Sequence, residues 1–150
     1  MGKGAKTLYR VAAVLFLLFA AGHTAGFLTF RPTAADAIAV LDGMNRVHFD
    51  MGGTSASWMG FYTGFGLFVS VYLLFSALLA WRLGSAGEVE ATIVRTIAWM
   101  LFVAQLVSIG LCLRYFGPVQ AAFAAACAAS VGGAALLTRC GGVRVSPIRA

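Results

Sequence analysis

The residues of this chain best able to do chemistry are polar side chains that stand inside apolar runs. His23 is one of them, and an imidazole can act as an acid, act as a base or accept a hydrogen bond. An ionisable side chain in a lipid-facing segment costs free energy, so it marks a functional site or a satisfied contact between helices. His23 is therefore the first residue to explain.

Three further polar residues fall at a depth similar to that of His23. Tyr62 and Thr63 lie near the start of the second apolar run, and Gln105 lies inside the third. With a rise of 1.5 Å per residue, all four lie about 6–12 Å below the same membrane surface. Polar side chains in a helix bundle turn inward and satisfy one another, so we expect these four to share a polar pocket.

Composition and the apolar runs predict an integral membrane protein. Of the 150 residues, 61% are hydrophobic and 11% are charged, whereas a soluble domain carries about 25% charged residues. A bilayer-spanning helix needs about 20 apolar residues, and four runs are long enough. We predict an all-α membrane protein, a four-transmembrane-helix bundle that forms a single domain over residues 1–150, with helices at about 8–30, 57–81, 91–113 and 118–137.

The connection between the first two spanning helices, residues 31–56, is the only long one. Thr33 followed by Asp36 is typical of a helix start, with Thr33 as the capping residue. Apolar residues then recur at helical spacing. We predict a short amphipathic helix, from about Ala34 to Val47, that lies in the membrane–water interface on the outer side.

His48 and Asp50 follow this short helix, and we expect them at the mouth of the polar pocket. Arg46 is expected to pair with Asp42 or Asp50. Two histidines and an aspartate are metal-ligating types, but their spacing matches no standard motif, so we predict no metal site. The sequence assigns no cofactor.

The positions of Lys and Arg predict the orientation of the helices. Eight flank one set of helix ends and three flank the other, so both termini are expected in the cytoplasm. The net charge of +6 belongs to these flanks, and nucleic acid is excluded as a partner. The eight are Lys3, Lys6, Arg10, Arg82, Arg95, Arg139, Arg144 and Arg149; the three are Arg31, Arg46 and Arg114.

Small and aromatic residues add expectations about packing and depth. The pairs Gly22–Gly26 and Gly60–Gly64, and the alanines of the fourth helix, are typical of close helix contacts; packing within the bundle is favoured over a dimer face. Aromatic residues gather at membrane interfaces. Trp58 and Tyr115 are expected at the outer interface, with Tyr9 and Trp81 at the inner one.

Three segments carry a resemblance to known proteins: Gly22-His23-Thr24-Ala25-Gly26-Phe27, Phe49-Asp50-x-Gly52 and Ser57-Trp58-x-Gly60-Phe61-Tyr62-Thr63-Gly64-Phe65-Gly66. They resemble a family of small bacterial four-helix membrane proteins that is loosely similar to DoxX-like proteins. The resemblance covers about the first half of the chain. It implies that these segments hold the functional residues and that the protein lies in the inner membrane of a bacterium, and it brings no reaction with it.

Three hypotheses for function remain open. The first is a binding or accessory protein that holds a lipophilic small molecule or a partner helix against the polar pocket. The second is a membrane enzyme acting on a quinone-like or lipid-like substrate, with His23 as acid and base and Tyr62 or Gln105 orienting the substrate. The third is a structural protein in which His23 bonds to Gln105 or Tyr62 to hold helices together. A homo-oligomer or another membrane protein as partner also stays open.

Overall fold

The computed structural model describes residues 1–87 and 90–138. Three of the basic residues counted above, Arg139, Arg144 and Arg149, lie outside the described residues. Within the described ranges the chain forms five helices and one short hairpin. In chain order these are α1 (Lys3–Thr29), α2 (Ala35–Arg46), β1 (His48–Asp50), β2 (Ser55–Ser57), α3 (Trp58–Leu83), α4 (Ala91–Tyr115) and α5 (Pro118–Leu137).

Four of the helices, α1, α3, α4 and α5, are long and apolar enough to cross a membrane. The shortest of them has 20 residues, the length that a bilayer requires. The predicted all-α class and the four helices long and apolar enough to span a membrane are thereby confirmed. The predicted bounds agree within two residues at most ends, but α1 begins earlier than expected, at Lys3.

The chain divides into two compact units. Unit 1 consists of Met1–Phe16 and the chain from Ser76 onward, and unit 2 consists of Leu17–Phe75. The first half of α1 and the end of α3 belong to unit 1, whereas their remaining parts belong to unit 2. The expectation of a single domain stays a prediction.

Small residues let α4 and α5 approach each other closely in unit 1. Ala98 of α4 and Ala124 of α5 are completely buried. At Gly132 of α5 an added Cβ would lie 2.8 Å from the ring of Phe102 on α4. Close backbone approach is the main packing device between helices in lipid, and the alanine-rich α5 fits that role as predicted.

A polar cluster around Tyr9 joins three helix ends of unit 1. The buried Tyr9 hydroxyl lies 3.2 Å from the hydroxyl of Thr138, directly after α5. The next residue, Arg10, places its guanidinium 3.5 Å from the centre of the Trp81 ring and donates to the Ser85 hydroxyl at 2.8 Å. Tyr9 was expected in the interfacial belt on the inner side, and that depth stays a prediction; the structure adds that Thr138 satisfies its hydroxyl inside the unit.

The helix α2 of unit 2 lies where the sequence predicts, with ends one residue inside the expected bounds. Its capping residue is Ala34, without a side-chain hydrogen bond, so the prediction that Thr33 caps the helix is wrong. Asp36 stands in the first turn as expected, and its carboxylate accepts a hydrogen bond from the Ala37 amide at 2.8 Å. No residue of α2 is buried.

A two-stranded hairpin after α2 was not predicted. Strands β1 and β2 pair antiparallel, with His48 opposite Ser57, around Gly52 and Gly53. Both glycines have positive φ, 63° and 89°, the conformation that a two-residue hairpin turn favours. The Trp58 amide then donates to the carbonyl of Val47 at 3.2 Å, so the hairpin returns the chain to the end of α2 as α3 begins.

The predicted small-residue contacts are only partly realised. A Cβ added at Gly22, Gly26 or Gly64 would meet nothing within 4 Å among the described residues. The expectation that these glycines pack within the bundle is therefore wrong. Glycine spacing identified them, but the close approaches occur at other glycines, such as Gly66 and Gly132.

Candidate binding site on the α1–α3 face

His23 lies on α1 less than two turns before the helix ends, and its side chain is half-buried. Its Nε2 lies 3.0 Å from the backbone carbonyl oxygen of Gly66 on α3. A carbonyl only accepts hydrogen bonds, so we assign the proton to Nε2 from this contact. A neutral imidazole that carries its proton on Nε2 presents Nδ1 as a hydrogen-bond acceptor.

Two aromatic rings complete the face around His23. Phe27, one helical turn further along α1, stacks on the imidazole with a centroid separation of 5.7 Å and an interplanar angle of 7°. The ring of Tyr62 on α3 lies 5.3 Å from that of Phe27 at a tilt of 49°. We call His23, Phe27 and Tyr62 the His23 face. Phe27 is the residue that both of the others contact.

Gly66 determines how closely α1 and α3 approach at this face. A Cβ built at Gly66 would overlap the ring of Phe27. Glycine therefore lets the ring lie directly against the α3 backbone, and it leaves the Gly66 carbonyl within reach of His23. As α1 runs from His23 to Phe27, its partners on α3 run back from Gly66 to Tyr62, so the two segments are antiparallel.

A second polar link between α1 and α3 lies next to the His23 face. The hydroxyls of Thr24 and Ser70 are 2.7 Å apart, and Ser70 is buried. Ser70 also donates to the Gly66 carbonyl at 3.5 Å, so Thr24 is the donor to Ser70. The Gly66 carbonyl thus accepts from both His23 and Ser70.

The structure brings together some of the predicted site residues and separates others. His23 and Tyr62 flank the same ring, but the hydrogen-bond partner of His23 is Gly66 and not Tyr62. Thr63 is half-buried and projects about 100° further around α3 than Tyr62. Gln105 is completely buried in unit 1. Its expected meeting with His23 stays a prediction.

His48 and Asp50 are exposed and bond within their own segment. The Nδ1–H of His48 donates to the carbonyl of Arg46 at 2.9 Å, and the Asp50 carboxylate accepts from the Gly53 amide at 2.9 Å. Arg46 Nε donates to the backbone carbonyl of Asp42 at 3.4 Å, whereas the sequence predicts an ion pair with a carboxylate. These bonds fix the end of α2 and the hairpin turn, and a place at a pocket mouth stays a prediction.

Within residues 1–87 and 90–138, no three His, Cys, Asp or Glu side chains come together as a metal site would require. The contacts of His23 in the described chain are instead a carbonyl and an aromatic ring. The chemistry to consider at this face is therefore hydrogen bonding and aromatic contact.

Reasoning from side-chain chemistry did not single out Phe27, Gly66 or Ser70, although Phe27 and Gly66 lie in the segments that carry the resemblance. Phe27 and Ser70 carry a signal, since each lies four residues from another site residue and one turn of a helix aligns them. Gly66 contributes a backbone carbonyl, which every residue has. Gly66 differs from the other residues of α3 in this respect only because it lies opposite His23.

No family model, curated protein or solved structure matches this chain. The resemblance to DoxX-like proteins therefore stays a prediction, and the function is argued from the geometry of the site.

The close approach at Gly66 makes a testable prediction about stability. Gly66→Ala forces the Phe27 ring off the α3 backbone, so we expect a loss of about 1–3 kcal/mol in the free energy of unfolding. Unfolding in mixed detergent micelles, followed by circular dichroism, measures this loss. Gly64→Ala, two residues away in the same helix with open space at its Cβ, is the matched control and should not destabilise the protein. Equal stabilities of the two variants would contradict the close contact.

Proposed function

We propose that this chain is an inner-membrane protein of a bacterium that binds a lipophilic small molecule at the His23 face. One observation carries the proposal: a hydrogen bond to Gly66 orients the imidazole of His23 and leaves its second ring nitrogen as an acceptor. An imidazole oriented in this way inside an apolar segment is suited to receiving a polar group of a ligand.

The chemistry of the face indicates what kind of ligand it would take. Nδ1 of His23 supplies an acceptor, the hydroxyl of Tyr62 supplies a donor, and the ring of Phe27 lies between the two residues. Tyr62 is 53% exposed, so much of this residue is accessible to a ligand. A flat ring that carries a hydroxyl or carbonyl group would stack and hydrogen-bond here, with an apolar remainder left in the lipid.

A role limited to holding helices together accounts for the His23 face less well. Polar bonds between membrane helices contribute only about 0.6 kcal/mol on average. The hydroxyl pair Thr24–Ser70 already links α1 to α3 one residue from His23, with groups that are cheaper to place in lipid than an imidazole. The binding proposal explains why an imidazole stands beside that link.

The proposed orientation has both termini in the cytoplasm. Lys3, Lys6 and Arg10 flank the start of α1, and Arg82 lies at the end of α3. Contacts of Tyr9 and Arg10 gather the start of α1 and the ends of α3 and α5 within unit 1, so these helix ends share one side. Basic residues concentrate on the cytoplasmic side of inner-membrane proteins.

The orientation is tested by reporter fusions. Green fluorescent protein fused after residue 150 should fluoresce, and alkaline phosphatase at the same site should be inactive, because the C-terminus is expected in the cytoplasm. Alkaline phosphatase inserted between Gly52 and Gly53, at the exposed hairpin turn, is the matched control and should be active. Phosphatase activity at the C-terminus would contradict the proposed orientation.

The binding proposal is tested by the lipophilic compounds that co-purify with the protein. Wild type and His23→Ala are purified in the same mild detergent, and organic extracts are compared by mass spectrometry. We expect at least one compound with a ring and a hydroxyl or carbonyl group to fall at least tenfold in His23→Ala, because the acceptor at Nδ1 is lost.

Thr24→Val is the matched control for this experiment. It removes the neighbouring hydroxyl bond to Ser70 and leaves the His23 face intact, so the compound should be retained. If the extracts of both variants match wild type and only thermal stability falls, His23 is a structural contact and the binding proposal is wrong.

A further inference from the structure

A regular row of aromatic side chains runs along α3 within unit 2. Its members follow one another at alternating intervals of three and four residues. Ring centroids are 6.2 Å apart for Trp58 and Phe61, 4.7 Å for Phe61 and Phe65, and 6.3 Å for Phe65 and Phe68. We call this row the aromatic seam: Trp58, Phe61, Phe65, Phe68, Tyr72 and Phe75.

Most of the seam is exposed. Phe65 is 58% exposed, Phe68 71% and Phe75 61%. The other exposed large apolar residues in this part of α3 are mainly aliphatic, among them Val71 at 61% and Leu74 at 46%. The exposed surface of the helix is thus divided into an aromatic seam and an aliphatic remainder.

Contact with lipid alone does not require such a division. Acyl chains are fluid and accept any apolar side chain at any position, so lipid imposes no period on the sequence. A spacing of 3.5 residues is the repeat at which one helix meets another in a left-handed crossing, the commonest arrangement of membrane helices. Because six aromatic residues keep this repeat, the seam is suited to a rod-like partner, which means another helix.

We propose that the seam joins two copies of this chain through their α3 helices. Copies in one membrane have the same orientation, so they can be related by a two-fold axis along the membrane normal. Such an axis places the seam of one copy against the seam of the other, with the two α3 helices parallel. Such an interface requires a self-complementary surface. Aromatic rings meet this condition because pairs of them interact favourably in offset and edge-to-face arrangements.

The area of the seam is sufficient for a specific dimer. The side chains of Trp58, Phe61, Phe65, Phe68 and Phe75 are 38–71% exposed, and together they present on the order of 500 Å² per copy. Two copies would cover about 1,000 Å², the lower limit for a specific interface. Neighbouring aliphatic residues that lose contact with lipid would add further buried surface to this area.

The seam continues a contact that already exists within one copy. Phe49 of the hairpin lies 4.6 Å from the Trp58 ring and 5.8 Å from the Phe61 ring, centroid to centroid. The first turn of the seam is therefore already packed against aromatic side chains. The exposed remainder, from Phe65 onward, extends the same surface, and the second copy would pack along it and along the exposed parts of Trp58 and Phe61.

The test measures association in liposomes as protein density is varied. Wild type carrying donor or acceptor fluorophores after residue 150 should show energy transfer above the level of random co-localisation. The double variant Phe65→Ala with Phe68→Ala should reduce the dimer association constant at least tenfold. The matched control, Val71→Ala with Leu78→Ala, alters exposed aliphatic residues of the same helix outside the seam and should associate like wild type.

Cross-linking tests the dimer without replacing the aromatic side chains of the seam by alanine. Phe68→Cys and Val71→Cys are compared under oxidation, each with Cys140→Ser; the native Cys112 and Cys127 are buried. A disulfide-linked dimer is expected for Phe68→Cys only. The proposal is overturned if the wild type stays monomeric at every protein density. That result would also be obtained if the helix of another protein, and not a second copy, covered the seam. Equal losses in the two double variants, or cross-linking at position 71 and not at 68, would also overturn it.

Discussion

The contact between the Phe27 ring and the Gly66 backbone is the constraint on which the rest of unit 2 depends. Any side chain at Gly66 would occupy the space of that ring. With glycine there, His23 reaches the Gly66 carbonyl at 3.0 Å, and Thr24 reaches Ser70 at 2.7 Å. Because a helix in lipid gains little from the hydrophobic effect, such close backbone approach and the bonds that it permits determine how the two segments pack.

The sequence predicts those parts of the fold whose residue pattern is repeated over many positions. The long apolar helices are set by runs of about 20 apolar residues, and α2 by recurring apolar positions, so most of their ends were predicted within two residues; the start of α1, at Lys3, was not. Features that rest on single contacts were not. Thr33 was expected to cap α2 and does not, and the bond between the buried Tyr9 hydroxyl and Thr138 was not predicted. Nothing in the local sequence specifies those partners.

For the same reason, the sequence indicates a residue of the candidate site only where a polar side chain marks it. His23 and Tyr62 are polar side chains in apolar segments, which makes them visible in the sequence, and the structure places both against Phe27. The partner of His23 is a backbone carbonyl, and a carbonyl leaves no trace in residue type. The role of Gly66 follows from the register of α1 against α3, which the sequence does not specify. Gly22 and Gly26 have the spacing of a packing motif yet lie open.

The central claim is that His23 donates through Nε2 to Gly66 and presents Nδ1 as an acceptor. Nitrogen-15 solid-state NMR of histidine-labelled protein in bilayers tests it most directly. His48→Asn leaves His23 as the single histidine of the chain. The account predicts one protonated nitrogen at Nε2 and one unprotonated nitrogen at Nδ1. A spectrum of the Nδ1–H tautomer, or of a ring protonated on both nitrogens, would contradict it.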